Sequence, residues 1–569
     1  MPADDIIRLA IFLLTLTLLI KPVGMHIYRV LTPNERTFLD PILKPIETRI
    51  YALCRIDTTK EQGWKGYLFS ILGFSLISIV FTMILLGLQG YLPFNPENMA
   101  APSWHLNLNV AISFMTNTNW QSYSGESTMS YLSQMAALTV QNFTSAAVGL
   151  ATAAALVRGI ARHAHTTIGN FWVDIVRIAL YLLLPLSIVA ATFLLAEGTP
   201  QNLKPYVKAE TLEGGIQTIV QGPIASQEAI KLLGTNGGGF TNTNSAHPYE
   251  NPTPLSNFLQ LLMILLIPGG QIYYFGRCIN DTKHAWCIFA ALAVIFIAGT
   301  VLCTDCEIKG NPGWIKELIQ GGNFEGKEAR FGIFGSTLYT CATTAVSCGA
   351  VNCMHDSLTP IGGLVPMLNI QLSEVIFGGI GAGLYSVLIF VFLAIFIAGL
   401  IIGRTPEYLG KKIEAYDIKM TVFAIIPYVI IVHSFTAWAC FTSWGQQGPL
   451  NGGPHGFSEI LYAFSSCGAN NGSAFAGLSS NSPFYNLTLA AVMLFGRFLV
   501  IAPVMALAGS LAEKKVHPKN AGSFPVSSPV FISLLAGVIL LLGALTFLPP
   551  LTIGPIVEQF RMLKGTIFT

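Results

Sequence analysis

Charge is what this chain has least of. Lys, Arg, Asp and Glu make up 11% of its 569 residues, against roughly 25% in soluble domains, while 52% are hydrophobic and the mean hydropathy is +0.59. That balance excludes an ordinary soluble fold and indicates a polytopic membrane protein. The little charge present nearly cancels, to +2, and no basic run occurs, so nucleic acid is excluded as a ligand. Ten cysteines are scattered singly and form no disulfide framework. Cys303-Thr304-Asp305-Cys306 is the single C-x-x-C, without a second pair or histidine to complete a metal site. Nucleotide signatures are missing as well. Gly410-Lys411 is followed by Lys412 and Gly326-Lys327 by Glu328, which rules out a phosphate-binding G-K-S/T loop, and no Asp-Lys-Thr-Gly sequence occurs. No cleavable signal is evident: the first apolar run, 6–20, follows Asp4 and Asp5 and contains Arg8, so it is expected to stay as a span.

What the chain has instead is long apolar runs. Besides the first, they cover 66–88, 131–157, 171–195, 255–275, 285–302, 375–402, 418–440, 484–511 and 529–548, each near the ~20 residues that cross a ~30 Å hydrocarbon core. The expected fold class is therefore all-α, with ten transmembrane helices. If the N-terminus faces outward, the inner connections (21–65, 158–170, 276–284, 403–417, 512–528) hold 18 Lys and Arg and the outer segments nine. The positive-inside rule then puts both termini outside. The longest inner connection, 21–65, is too short for a nucleotide-binding domain, so any ATP hydrolysis must belong to a partner.

Between the runs lie small, neutral, glycine-rich clusters. Gly234 to Pro254 reads GTNGGGFTNTNSAHPYENPTP, which cannot be ordinary membrane helix; non-helical backbone at membrane depth survives only where protein buries it or where it lines a cavity. The pattern recurs. Ser347-Cys348-Gly349-Ala350-Val351-Asn352 matches Ser466-Cys467-Gly468-Ala469-Asn470-Asn471 at five of six positions, Thr235-Asn236-Gly237 has the same outline, and Asn117-Thr118-Asn119-Trp120-Gln121 carries Asn119 where the others have glycine. Asparagine is the next residue to tolerate left-handed backbone. The anchors Asn119, Gly237, Gly349 and Gly468 are 118, 112 and 119 residues apart, which implies four helix–loop–helix repeats around a pseudo-fourfold pore. The expected divisions are 1–65, repeats at 66–157, 158–275, 276–402 and 403–511, and 512–569. A short helix precedes each cluster (105–116, 224–234, 331–346, 454–465) and points the negative end of its dipole at it. No carboxylate lies in any cluster, whereas Ca²⁺ sites are built with Asp and Glu; a ring of backbone carbonyls around a monovalent cation fits better.

Here the sequence resembles a family, the potassium-binding and translocating subunit (KdpA) of the Kdp-type potassium-transporting ATPase. The resemblance rests on TNTNWQSYSGESTMSYLSQM, GTNGGGFTNTNSAHPYENPTPLSNF, AVNCMHDSLTPIGGLVPMLNIQLSEVIFGGIGAGLY, GRTPEYLGKKIEA and NNGSAFAGL, and covers nearly the whole chain. It implies a potassium channel-like fold in a bacterial cytoplasmic (inner) membrane. It also implies K⁺ as transported ligand with no cofactor of the chain's own. The partners it implies are a P-type ATPase subunit that uses ATP and Mg²⁺, a single-span subunit and a small membrane peptide. Ions would enter a filter and pass sideways through a tunnel to the ATPase subunit. By resemblance the filter falls on Asn117, Thr118 and Asn119, with Gln121 beside them, on Thr235, Asn236 and Gly237, on Ser347, Cys348 and Gly349, and on Ser466, Cys467 and Gly468; Asn470-Asn471-Gly472 is a second candidate for the fourth loop. The glycine-rich Phe377-Gly378-Gly379-Ile380-Gly381-Ala382-Gly383 would be a gating break, and Glu374 and Arg404 would belong to a coupling region. Arg497, a charge in mid-span, is expected to be functional on cost alone. The repeats by themselves fit a self-contained potassium channel or symporter equally well. A membrane enzyme would need a catalytic constellation, which the isolated His247 and His355 do not offer.

Overall fold

The computed structural model describes residues 1–33, 35–311, 321–373, 375–518 and 524–566. Among them ten helices are long and apolar enough to cross a membrane: Ala3–Leu31, Trp64–Tyr91, Ser133–Ala161, Phe171–Glu197, Pro254–Cys278, Thr282–Lys309, Gly383–Ile402, Ala415–Phe441, Pro483–Glu513 and Pro529–Leu563. They sit on the ten apolar runs. Their starts are encoded locally. Asn170 accepts from the Trp172 and Val173 amides, Thr253 and Ser256 form a reciprocal capping box, and Ser482 and Ser528 accept from the amides three residues on, each satisfying backbone donors that a helix start leaves open.

Four half-length helices, Trp104–Met115, Ile224–Leu233, Gly332–Ala345 and Gly453–Ala469, each sit between two long ones. In every such pair the second long helix is the more enclosed. The buried share is 83% for Ser133–Ala161 and Pro254–Cys278, 61% for Gly383–Ile402 and 56% for Pro483–Glu513, against 28 to 50% for their preceding partners. The second helices thus form an inner ring and the first an outer one that offers its apolar side to lipid. Small residues allow the inner ring to close: Gly159 lies against the Ala508 backbone, the approach that glycine and alanine permit between membrane helices.

The connections gather at two ends. At one, Gln62 donates to Gly169 O (2.6 Å), His165 N to Ala512 O (3.0 Å) and His517 N to Gly410 O (2.8 Å). At the other, Asn242 N donates to Glu126 (2.8 Å), Arg330 to Asn251 O (2.6 Å), and Ser480 to Ser122 (3.0 Å). Both termini belong to this second end: the Met1 amine lies 3.6 Å from Asp305, and Glu558 holds His455 at 2.8 Å.

One expected span is not a single helix. The run 375–402 is helical only from Gly383; a separate helix, Pro360–Gln371, precedes it, and Phe377 and Gly378 between them take left-handed φ of 65° and 61°. Four glycines in seven residues leave too little helix propensity to bridge that interval. Glu374 lies outside the described residues.

Candidate functional site

The four half-length helices end at one place, where their following loops meet backbone to backbone. A Cβ on Gly237 would lie 2.1 Å from the Gly349 nitrogen, one on Gly349 2.7 Å from the Gly472 carbonyl carbon, one on Gly472 1.7 Å from Thr118 O, and one on Gly238 3.1 Å from Asn119 O. The contacts run from the second loop to the third, fourth, first and back to the second, so the ring is closed. No side chain fits between such loops, which is why three carry glycine on the axis. The fourth corner is Asn119 at φ 56°, its side chain turned outward to donate to Asn142 Oδ1 (2.6 Å). The backbone atoms that meet there include carbonyls: Thr118 O and Asn471 O lie against Gly472 and Gly349, and Asn236 O accepts from Gly349 N (3.2 Å).

Asn117, Thr118, Asn119, Thr235, Asn236, Gly237, Ser347, Cys348 and Gly349 are therefore brought together. Ser466, Cys467 and Gly468 are not. They form the last turn of Gly453–Ala469, and the residues in the ring are Asn470, at φ 63°, Asn471 and Gly472, at φ 96°. Gly468 instead lets helices cross, since a Cβ on Gly496 would lie 2.0 Å from Gly468 O. The near-identity of the third and fourth sequences is displaced by one helical turn, because the third helix stops at Ala345 while the fourth runs on through its matching residues. Backbone closure gives the true equivalence: Thr118 N donates to Ser113 O (3.0 Å), Asn236 N to Lys231 O (2.8 Å) and Asn471 N to Ser466 O (2.8 Å). Gln121 sits one layer further out, where its amide pairs with both backbone groups of Gly239 (Nε2 to O 2.9 Å; N to Oε1 3.1 Å) and latches the first loop to the second.

The glycine-rich break lies directly under the ring. Ile380 N donates to Thr235 Oγ1 (2.9 Å); a Cβ on Gly379 would lie 2.6 Å from Ser347 N, and one on Gly381 2.6 Å from Asn117 Nδ2. Arg497, buried in the inner helix Pro483–Glu513, donates to Gly381 O and to Ser145 O (3.4 Å), so its charge is spent on backbone dipoles of the break. Arg404 is elsewhere: it is exposed beyond Ile402, about 30 Å along that 20-residue helix from the break. Beside the break, a cavity of about 40 Å³ is bounded by Ser373, Ala382, Tyr385, Tyr428, Asn470 and Gly496, room for about two or three waters or bare ions. Sequence reasoning missed Ser145, Asn142 and Lys231, which brace the loops from behind. Lys231 was the one legible among them, as a lysine near the C-terminal end of a short helix that leads into a glycine cluster. All ten cysteines are free thiols, and Cys303 and Cys306 are helix residues.

Residues 10–560 match the family described as Potassium-transporting ATPase A subunit, KdpA. The chain belongs to that family. Among its KdpA-type relatives, the potassium-transporting ATPase potassium-binding subunit of Solibacter usitatus is 52% identical over 569 residues, all of both chains, and that of Yersinia enterocolitica 52% identical over 563, 99% of each. In fold, the family member resembles the potassium transporter TrkH from Vibrio parahaemolyticus, with a TM-score of 0.51 over 85% of this chain and 97% of that one at 12% identity.

Proposed function

We propose that this chain is the potassium-binding and translocating subunit of an ATP-driven potassium uptake complex, with the ring of four loops as its selectivity filter. The observation that carries this is the closed backbone ring, free of carboxylate and charge on its axis. A dehydrated monovalent cation is held by carbonyls that replace its water shell, and four C-terminal helix ends converge there with their negative dipoles. Each repeat, as divided above, contributes one loop. K⁺ enters from the end that holds both termini, taken as the outer face of an inner membrane because the opposite connections carry the excess of Lys and Arg. Below the filter the break blocks the direct path, and the adjoining cavity leads sideways between helices Gly383–Ile402 and Ala415–Phe441 toward a P-type ATPase subunit. Hydrolysis of ATP with Mg²⁺ falls to that partner, which a single-span subunit and a small membrane peptide accompany.

The test is to co-purify the complex on this chain and measure potassium-stimulated ATP hydrolysis. Gly237→Asp or Gly349→Asp should raise the potassium needed for half-maximal rate and relax discrimination against sodium and rubidium. Unchanged values in both variants would remove the loops from the filter, and potassium flux through the chain alone in liposomes would favour a self-contained channel or symporter.

A further inference from the structure

The four repeats do not support their loops in the same way. At the position five residues before Thr118, Asn236, Cys348 and Asn471 stand Ser113, Lys231, Thr343 and Ser466. In three repeats a hydroxyl ties directly to its own loop: Ser113 Oγ donates to Trp120 O (2.9 Å), Thr343 Oγ1 to Cys348 O, and Ser466 Oγ accepts from Gly472 N (3.1 Å). In the second repeat the position is an ammonium with no solvent exposure. Lys231 Nζ lies 2.5 Å from Glu228 and 2.7 Å from Glu250, both equally buried, and donates to Asn244 Oδ1 (2.7 Å) and Ser245 Oγ (3.0 Å). Asn244 Nδ2 in turn donates to Gly237 O (2.9 Å), and Glu250 Oε1 accepts from the amide and hydroxyl of Thr241 (2.7 Å each). The circuit therefore leaves the helix end, crosses to the returning segment and comes back to the loop's axial glycine.

A buried ion pair is weak evidence for stability, because desolvation offsets attraction, but it enforces one geometry where a small apolar group would tolerate several. Here that geometry is the direction of a peptide group in the ring. We propose that Lys231, acting with Glu228 and Glu250 through Asn244, is the positioning residue that sets the second loop and thereby the discrimination of K⁺ from Rb⁺. This rests on the filter reading above. The three hydroxyl-supported loops hold their own backbone by contacts within a few residues. The second loop carries three consecutive glycines after Asn236 and is the one given a charged brace. The Gly237 carbonyl is held at the end of a chain that begins at the ammonium: the bonds from Lys231 Nζ are charge-assisted, and the last one, from Asn244 Nδ2 to Gly237 O, is an amide hydrogen bond of 2.9 Å.

The decisive variant is Asn244→Ala, which cuts the tie to Gly237 O and leaves the three charges in place. Measured in the assembled complex as cation-stimulated ATP hydrolysis, it should raise the half-maximal potassium concentration about tenfold, the loss expected for one buried amide hydrogen bond. The K⁺ to Rb⁺ ratio of half-maximal concentrations should move toward one, with the maximal rate retained. Lys231→Ser, which supplies the side chain found in two other repeats, should do the same where it assembles, and Lys231→Arg should recover part of the ratio. An assembled Asn244→Ala complex with wild-type ratio overturns the proposal. If Gly237→Asp still alters selectivity in that case, the filter stands and only the brace falls; if neither variant alters it, the filter reading falls as well.

Discussion

Gly472 and Gly468 stand four residues apart in a similar local sequence, yet their surroundings make opposite demands. Gly472 has φ 96° and backbone of another loop 1.7 Å from where a Cβ would go, whereas the same atom on Gly468 would meet the ring of Tyr428 and a Val432 methyl at 3.2 Å. Gly472→Ala should therefore force the fourth loop off the axis and raise the half-maximal potassium concentration at least about tenfold, since displacing one ring carbonyl removes an interaction of more than ~1.4 kcal/mol. Gly468→Ala asks two side chains to give by a few tenths of an ångström and should change affinity less than about threefold, within the range of small overpacking. Potassium titration of ATP hydrolysis in both variants checks this, and the reverse order would return the fourth corner to Ser466-Cys467-Gly468. The residue types needed here were legible: glycine, asparagine and small hydroxyls are what close-packed non-helical backbone requires. Which of two neighbouring glycines occupies the axis was not legible, because it depends on where a helix stops.

At the scale of elements, the break beneath the ring of loops and the clamp at the loop-bearing end each join pieces distant in sequence. Arg497→Met removes the hydrogen bond that holds Gly381 O, and the one to Ser145 O, without adding bulk beside the ring. Hydrogen bonds to charged groups contribute about 1.5–3 kcal/mol, so the break should be released from its closed position by about tenfold or more. Potassium-coupled turnover should fall several-fold while the K⁺ to Rb⁺ ratio stays put. Alanines at Gly379 and Gly381 should impair transport too, both by contact with Ser347 and Asn117 and by favouring helix by about 1 kcal/mol each. Wild-type turnover in both variants would leave these glycines a packing role only. The clamp is His455, whose Nε2 meets Asp356 (2.9 Å) and whose Nδ1 meets Glu558 of the last helix (2.8 Å). Burial opposes its charged form, but the hydrogen bonds to the two carboxylates outweigh that and push its pKa up to about 10. A folded-state value raised above the ordinary ~6.5 means stability that is complete below that pH and is lost as pH rises through about 10. Thermal unfolding of His455→Gln should accordingly fall furthest below wild type near neutral and lower pH, and the gap should close above about pH 10. A gap independent of pH would show that the ring serves by packing alone.

For the whole molecule, the gathering of all four loops and both termini at one end turns orientation into a labelling experiment. Cysteines placed at Lys60 or Lys514 should react only with membrane-permeant reagents, and ones at Asn451 or Lys564 with impermeant reagents too, in a background whose exposed Cys54 is replaced; the opposite pattern would invert the assignment. The number of spans, the positive bias of alternate connections and the recurrence of a polar glycine cluster are properties of composition and periodicity. A bilayer leaves a chain with long apolar runs little choice but helix, so the sequence by itself determined the all-α class, the ten spans and the pseudo-fourfold plan. It also singled out Asn119, Gly237 and Gly349, which stand where loops touch backbone to backbone, because glycine and asparagine are what such contact requires. Tertiary structure decided the rest. It displaced the fourth corner by one turn, because the fourth half-length helix runs on through Ser466-Cys467-Gly468 whereas the third stops at Ala345. It folded the break under Asn117, Thr235 and Ser347, residues between 32 and 264 positions away from their contacts in it. It also brought Lys231 to Glu250 and Asn244, and Arg497 to Gly381 O, partners that no local pattern could name, since a buried charge is satisfied by whichever groups three-dimensional packing brings to it.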